Sequence, residues 1–194
     1  MSNLAMLLAR AVLAVALLVA AAPGRADEAL WAALADGGHV ALMRHAYAPG
    51  TGDPEHFRLE DCSTQRNLDQ TGRDQARRTG EAFRDHGVAI GRVLSSRWCR
   101  CRETAELLGL GEVVAFAPLD SFFGDRALEP AQTEAVRALL ADADADAEGP
   151  SLVMVTHQVN ITALTGIFPR SGEIVVLRLG GLEIFETIGA ISAL

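Results

Sequence analysis

The sequence predicts a three-layer α/β domain, a mainly parallel central sheet with helices on both faces. Two observations predict it. Short apolar runs of strand length alternate with longer, more polar segments of helical character, and strands separated by helices pair in parallel. The 194 residues, 49% of them apolar, suffice for one domain with a sizeable core. Neither internal repeats nor an interdomain linker divides them.

Residues 29–35 read as a short helix that ends at Gly37-Gly38, and His39-Val40-Ala41-Leu42-Met43 as a buried strand. Residues 46–64 are rich in Gly, Pro and Asp and read as a long loop, a feature that a compact domain keeps mostly for function. Residues 71–86 are polar and helix-like, closed by Gly87. A strand is expected over 93–96, a helix over 99–108, a short strand over 113–116 and a helix from Pro130 to about Ala141. Residues 142–148 alternate Asp with Ala and read as a solvated acidic loop. Residues 151–156 form a strongly apolar strand, followed by a short helix over 159–165. Strands over 173–179 and 182–188 flank Gly180-Gly181, the mark of a hairpin.

Residues 1–22 are almost wholly apolar, with Arg10 as the one charge, and Pro23-Gly24-Arg25-Ala26 follows. A weakly basic start, a short apolar segment and small residues at a cut site make a signal peptide. The expected division is therefore a signal over residues 1–26, cleaved after Ala26, and a single domain over 27–194. The uncharged run after Arg10 is short for a full membrane span, so no stable membrane anchor is expected, and the chain should reach the periplasm or the medium. An oxidising compartment suits a disulfide. Of Cys62, Cys99 and Cys101, a bond from Cys62 to Cys99 or to Cys101 leaves one thiol over. The C-x-C pair without a nearby His has poor spacing for zinc.

The formal net charge is −8, and all 17 basic residues are Arg. An acidic chain without a basic stripe argues against a nucleic-acid partner. Arg-only usage fits either genome composition or anion binding, since a guanidinium grips phosphate with two parallel hydrogen bonds; only the positions of individual arginines separate the two.

Three stretches place such residues well. In open α/β sheets ligands bind beyond the carboxyl ends of the strands. His45, with Arg44 before it, follows one apolar strand, and His157 follows another. His86 closes a helix, where interaction with the dipole suffices, and His39 and His56 have no comparable placement. The third stretch, from Ser95 to Ala105, again leaves a strand and opens a helix, a junction whose free N–H groups attract anions. It holds Arg97, Arg100 and Arg102. Together these parts suggest a phosphate monoester gripped by Arg44 and Arg100, attacked by His45, with His157 stabilising the equatorial oxygens. A carboxylic acid would protonate the leaving oxygen. The chemistry needs no metal and no cofactor.

These motifs resemble the histidine phosphatase superfamily, with its acid phosphatases and phosphoglycerate mutases. The family's strand followed by Arg-His-Gly appears as Leu42-Met43-Arg44-His45-Ala46, with Ala in place of Gly. Ser95-Ser96, Arg100 and Thr104-Ala105 match its second signature and select Arg100 over Arg97 and Arg102. His157 matches the third, and Asn67-Leu68, Gly72-Arg73 and Gln75-Ala76 are similar to the segment before the first helix. The resemblance implies a phosphoglycerate mutase-like fold, a phosphohistidine intermediate on His45 and a metal-independent phosphoric monoester hydrolase. It points to Asp120 as the acid, four residues before Gly124, with Asp53 and Glu173 as alternatives. Tyr47-Ala48 stands where the mutases carry Glu-Ser, which argues against mutase activity. The stretches 61–67 and 95–101 are similar to an exported branch like the lipopolysaccharide core heptose phosphatases. That likeness implies a small phosphate ester or an envelope glycolipid phosphate as the partner. The competing expectation is a non-catalytic phosphate- or phosphosugar-binding protein of the same fold. Oligomeric state is not encoded in any of these features.

Overall fold

The computed structural model describes residues 23–143, 149–180 and 183–194. The apolar N-terminal segment, most of the Asp/Ala stretch and Gly181-Leu182 of the expected hairpin turn lie outside the described residues.

Six strands form one sheet. They are β1 (His39–Arg44), β2 (Ile90–Ser95), β3 (Val113–Ala115), β4 (Ser151–Thr156), β5 (Ile174–Leu179) and β6 (Phe185–Ile191), in the order β3-β2-β4-β1-β5-β6. The first four positions run parallel, while β5 and β6 are antiparallel to their neighbours. The helices are α1 (Pro23–Asp36), α2 (Gln70–Asp85), α3 (Cys99–Leu108), α4 (Glu129–Ala143) and α5 (Gln158–Thr165). The expected three-layer, mainly parallel architecture is the one found.

Strand periodicity divides the core in two. Ala41, Met43, Val93, Val153, Val155, Ile174 and Val176 pack on one face of the sheet with Leu34 of α1, Phe83 of α2 and Leu108 of α3. The alternate residues Val40, Leu42, Leu94, Leu152, Met154, Val175 and Leu177 pack on the other with Val136 and Leu140 of α4 and Ile161 and Leu164 of α5. A strand covered on both faces has no polar side to show, which is why these runs read as continuously apolar. Each fully buried Leu or Met stabilises the sheet by roughly 2 kcal/mol.

Local chemistry fixes the helix starts. Asp69 caps α2, its side chain accepting from the N–H of Gly72 at 2.9 Å. Gly72 is also required by proximity: a Cβ there would lie 2.0 Å from the carbonyl oxygen of Tyr47. At Gly80 a Cβ would meet the carbonyl oxygen of Leu108 at the same distance, so α2 and α3 pack backbone to backbone.

The differences from expectation lie at element ends. Helix α1 begins at Pro23 and so runs through the expected cleavage point. The first loop continues beyond Thr64 to the start of α2, with one 3-10 turn at Cys62–Thr64. Helix α4 extends through Ala143, because the Asp/Ala alternation costs little helix propensity where Ala holds every second place. The hairpin is shifted so that its second strand begins at Phe185. No described helix is long and apolar enough to cross a membrane.

Candidate active site

The order β2-β4-β1 at the centre of the sheet sets three chain segments side by side at its carboxyl edge. His45 leaves β1 with its N–H bonded to the Thr156 carbonyl of β4 at 2.9 Å. Ser96 leaves β2 with its N–H bonded to Val155 at 2.9 Å. The imidazoles of His45 and His157 thereby stand 5.5 Å apart, and both are nearly sealed from solvent. Arg100, in the first turn of α3, is 3% exposed and reaches His157 Nδ1 with Nη2 at 3.4 Å. Arg44 enters from the end of β1, anchored through Nη1 to the Pro169 carbonyl at 2.9 Å. Arg44, His45, Arg100 and His157 all line one cleft of about 760 Å³.

Hydrogen bonding settles the state of His45. Its Nδ1 lies 2.8 Å from the Ala46 carbonyl, which can only accept, so Nδ1 carries the proton and Nε2 keeps a lone pair. Burial, and then the nearby charge of Arg100, hold the ring's pKa well below the ordinary histidine value. His157 is depressed in the same direction by burial, Arg100 and His45. Two buried, neutral imidazoles among guanidiniums are therefore the resting state. Ala46 takes the position of the resembled signature's glycine without strain, since among the described residues only glycines have a positive φ. Its N–H donates to the Thr104 hydroxyl at 3.0 Å, and that hydroxyl donates to the Arg100 carbonyl at 2.7 Å. Thr104 of the second motif thus couples the loop after His45 to the helix that carries Arg100.

Two guanidinium nitrogens are orphaned. Nε of Arg44 and Nε of Arg100 are buried without a hydrogen-bond partner. A buried donor without an acceptor costs about 1–3 kcal/mol, and a tetrahedral oxyanion between the two arginines would satisfy both.

The structure does not bring Asp120 into the cleft. Its carboxylate is buried, with Oδ1 accepting from the Arg97 N–H at 2.8 Å and Oδ2 from Arg97 Nε at 2.7 Å. Arg97 thus holds it apart from the residues that line the cleft. Asp120 instead touches Ser96 Oγ at 3.2 Å, and Ser96 Oγ lies 2.9 Å from His157 Nε2. Glu173 also lies apart, accepting from the Arg170 N–H. Asp53, by contrast, lines the cleft and holds Arg100 with both oxygens, at 2.8 and 3.2 Å. Burial alone would raise its pKa, but the paired Arg100 guanidinium and the N–H groups of Arg66 and Trp98 outweigh that and lower it.

Sequence reasoning missed Arg66. It lines the cleft and props the long loop, with Nε on the Gly52 carbonyl at 2.8 Å and Nη1 on the Ala48 carbonyl at 2.6 Å. Its sequence signals were its place directly before Asn67-Leu68 and its inclusion in the stretch 61–67 that is similar to the exported branch. A disulfide joins Cys62 of that loop to Cys99 of α3, and Cys101 is the buried free thiol. Gln65 reinforces the link by accepting from the Cys99 N–H at 3.0 Å. Among the described residues no group of three or more His, Cys, Asp or Glu side chains is arranged to hold a metal ion.

Residues 40–120 match the sequence model of the histidine phosphatase superfamily (branch 1). No curated protein matches the chain as a relative. Among solved structures, the protein histidine phosphatase SixA complexed with tungstate is 20% identical, with a TM-score of 0.59 over 79% of this chain and 96% of that one. The mycobacterial glucosyl-3-phosphoglycerate phosphatase complexed with VO3 is 15% identical, with a TM-score of 0.60 over 80% and 99%. A phosphoserine phosphatase mutant from Entamoeba histolytica is 14% identical, with a TM-score of 0.58 over 79% and 96%. At these identities the likeness is one of fold.

Proposed function

We propose, from the premise that the chain carries the signature and the fold of the histidine phosphatase superfamily, that it is an exported phosphomonoesterase working through phosphohistidine on His45. The observation that carries this reading is that Arg44 and Arg100, each with an orphaned Nε, line the same cleft as His45, whose Nε2 keeps its lone pair. A doubly charged phosphate placed there gains charge-assisted bonds from Arg44, Arg66 and Arg100. Phosphoryl transfer depends mostly on such positioning and charge stabilisation. Nε2 attacks phosphorus in line, the phosphorus–oxygen bond to the alcohol breaks, and the phosphoryl group stays on His45.

Asp53 is the proposed acid, in place of Asp120. Asp53 pairs with the Arg100 fork, a guanidinium that a phosphate would compete for. When phosphate claims that guanidinium, Asp53 loses its counter-ion and gains an anion beside it. Both changes raise its proton affinity, so the carboxyl becomes protonated where the leaving alkoxide needs a proton. As carboxylate it then draws the proton from the water that hydrolyses phosphohistidine. The charge supplied by three arginines supports metal independence, and EDTA should leave turnover unchanged.

The outer cleft supports a phosphorylated sugar of the envelope as substrate. Phe57 stacks on Trp98 with ring centres 5.1 Å apart, and Phe123 and Phe168 stand 57% and 73% exposed beside them. Ser121, Asp125 and Gln158 line the same cleft as these rings. Apolar ring faces interleaved with hydroxyl-binding groups suit a pyranose more than a lipid tail. A neighbour of like fold acts on glucosyl-3-phosphoglycerate, by its name. Export rests on residues 1–26 and on a disulfide that an oxidising compartment maintains.

One observation favours the second reading, a phosphosugar binder without turnover: the carboxylate expected to be the acid is locked to Arg97. Turnover of an aryl phosphate, then of phosphorylated sugars and lipid-linked sugar phosphates, separates the two. Release of phosphate, with an acid-labile phosphoryl group trapped on His45, is expected. Tight phosphate binding without release would establish the binder.

A further inference from the structure

The chain of contacts behind His157 has a fixed direction. At one end Arg100 Nη2, which can only donate, faces His157 Nδ1 at 3.4 Å. Nδ1 therefore accepts, and the ring proton sits on Nε2, which donates to Ser96 Oγ at 2.9 Å. The Ser96 hydroxyl is then free to donate to Asp120 Oδ1 at 3.2 Å, and a carboxylate can only accept. Ser96, Asp120 and His157 are all buried, so water does not short-circuit the series.

Phosphate binding upsets one end of it. An oxyanion that draws Arg100 away presents acceptor oxygens to a lone pair on Nδ1, and two acceptors repel. The conflict ends if Nδ1 takes a proton, from solvent or from a monoanionic ester, and donates it to a phosphate oxygen. His157 then carries a positive charge with both N–H groups used, one on phosphate and one on Ser96.

We propose that Ser96 and Asp120 are positioning residues that fix the His157 ring and make it the cationic phosphate-binding imidazole once substrate enters. This rests on the phosphatase reading, and it gives the residue displaced from the acid's role a different one. Asp120 acts at one remove, through the Ser96 hydroxyl, so it never meets the reacting atoms. The charged and titratable groups around His157 are Arg100 and Cys101 on α3, Arg44 and His45 at the end of β1, and Arg66 on the long loop. Asp53 lies behind Arg100 and Asp120 behind Ser96. Three cations oppose charging of the ring. The bound dianion offsets them, and Asp120 is the one anion on the far side. Arg97, half exposed, moderates that anion.

The test is the pH dependence of aryl phosphate hydrolysis in four variants. Asp120→Asn keeps an oxygen for the Arg97 N–H but removes the charge. Its kcat should fall at least ~10-fold with KM little changed, and the alkaline limb should move about one unit lower, since a less stabilised imidazolium loses its proton sooner. Ser96→Ala should reproduce the shift, and Ser96→Thr should restore the wild-type profile. Arg97→Ala, which strips Asp120 of its counter-ion, should move the same limb upward. A merely structural role would lower activity in both Asp120→Asn and Arg97→Ala without opposite shifts, and that result overturns the proposal. Nitrogen-15 NMR of the histidines with inorganic phosphate reads the ring state without turnover. An imidazolium at His157 in the wild type and a neutral ring in Ser96→Ala support the relay even if the chain proves to be a binder. A neutral ring in phosphate-bound wild type sinks it.

Discussion

The floor and the wall of the cleft are built by different means. The floor, His45, His157, Arg44 and Arg100, stands on strand ends and one helix start. Its geometry follows from the same strand order that makes the core. The wall is the loop between β1 and α2, which carries Asp53, Phe57 and Arg66 and has no strand of its own. It is held by point contacts: the Arg66 fork on two carbonyls, Gln65 on the Cys99 N–H, the Asp53–Arg100 pair and a disulfide. The floor is therefore rigid for reasons unrelated to its chemistry. Two of the residues that order the wall, Asp53 and Arg66, also line the cleft, so the cleft's chemistry can change there without disturbing the sheet.

Four perturbations test that contrast. His45→Ala acts on the floor alone and should abolish turnover, a loss of about 10⁴-fold or more, with a thermal midpoint close to wild type; retained phosphate release would remove the nucleophile assignment. Arg66→Ala acts on the wall, since it removes the proposed phosphate contact and the prop under the loop. We expect kcat/KM to fall by roughly 10²- to 10³-fold, the usual cost of losing one transition-state donor. A loss of only a few-fold would make Arg66 a brace and nothing more. Cys62→Ser with Cys99→Ser frees the wall. The 37-residue separation implies about 4 kcal/mol less stability in denaturant unfolding on the chain-entropy estimate, with activity down about ten-fold as Asp53 and Arg66 loosen. If activity survives untouched, the point contacts alone order the loop. Phe168→Ala, an exposed cleft residue outside both regions that serves as their control, should change aryl phosphate turnover less than about 3-fold yet weaken a phosphosugar substrate by about ten-fold, near 1.4 kcal/mol. Equal effects on both would argue against a sugar subsite.

The pH profile adds a check on the floor. Burial and Arg100 keep His45 neutral well below the ordinary histidine pKa. The nucleophile should therefore not be lost as pH falls through the usual histidine range, and turnover should persist on the acid side of pH 6. An acid limb at the ordinary histidine value would mean that His45 sits in a more polar setting than the structure describes.

The same contrast explains what was legible in the sequence. Strands β1 and β4, covered on both faces, advertise themselves as unbroken apolar runs, so the residues just past them, Arg44, His45 and His157, fall at one edge of the sheet on pattern alone. Helix α3 was legible because a strand, a short polar break and a helix follow one another there. The wall was not. Arg66 looks like any charged loop residue, since nothing in its neighbours' periodicity says where a loop folds back. The side chain of Asp120 was not legible for a related reason: spacing marks the residue, but its carboxylate is turned to Arg97, 23 residues away, and does not line the cleft. Backbone position follows from local pattern, whereas the partner of a buried carboxylate is a tertiary fact.

The two cysteines of α3 carry one more consequence. Cys99 and Cys101 are two residues apart, about 200° around a helix, so once α3 is wound one thiol faces the loop and the other is sealed against the sheet. In the unwound chain Cys62 can reach either thiol with equal ease. Oxidation that precedes helix formation can therefore trap the wrong bond, while oxidation that follows it cannot. Winding of α3 before oxidation would therefore leave Cys62 a single partner within reach, Cys99, and keep Cys101 a sealed thiol.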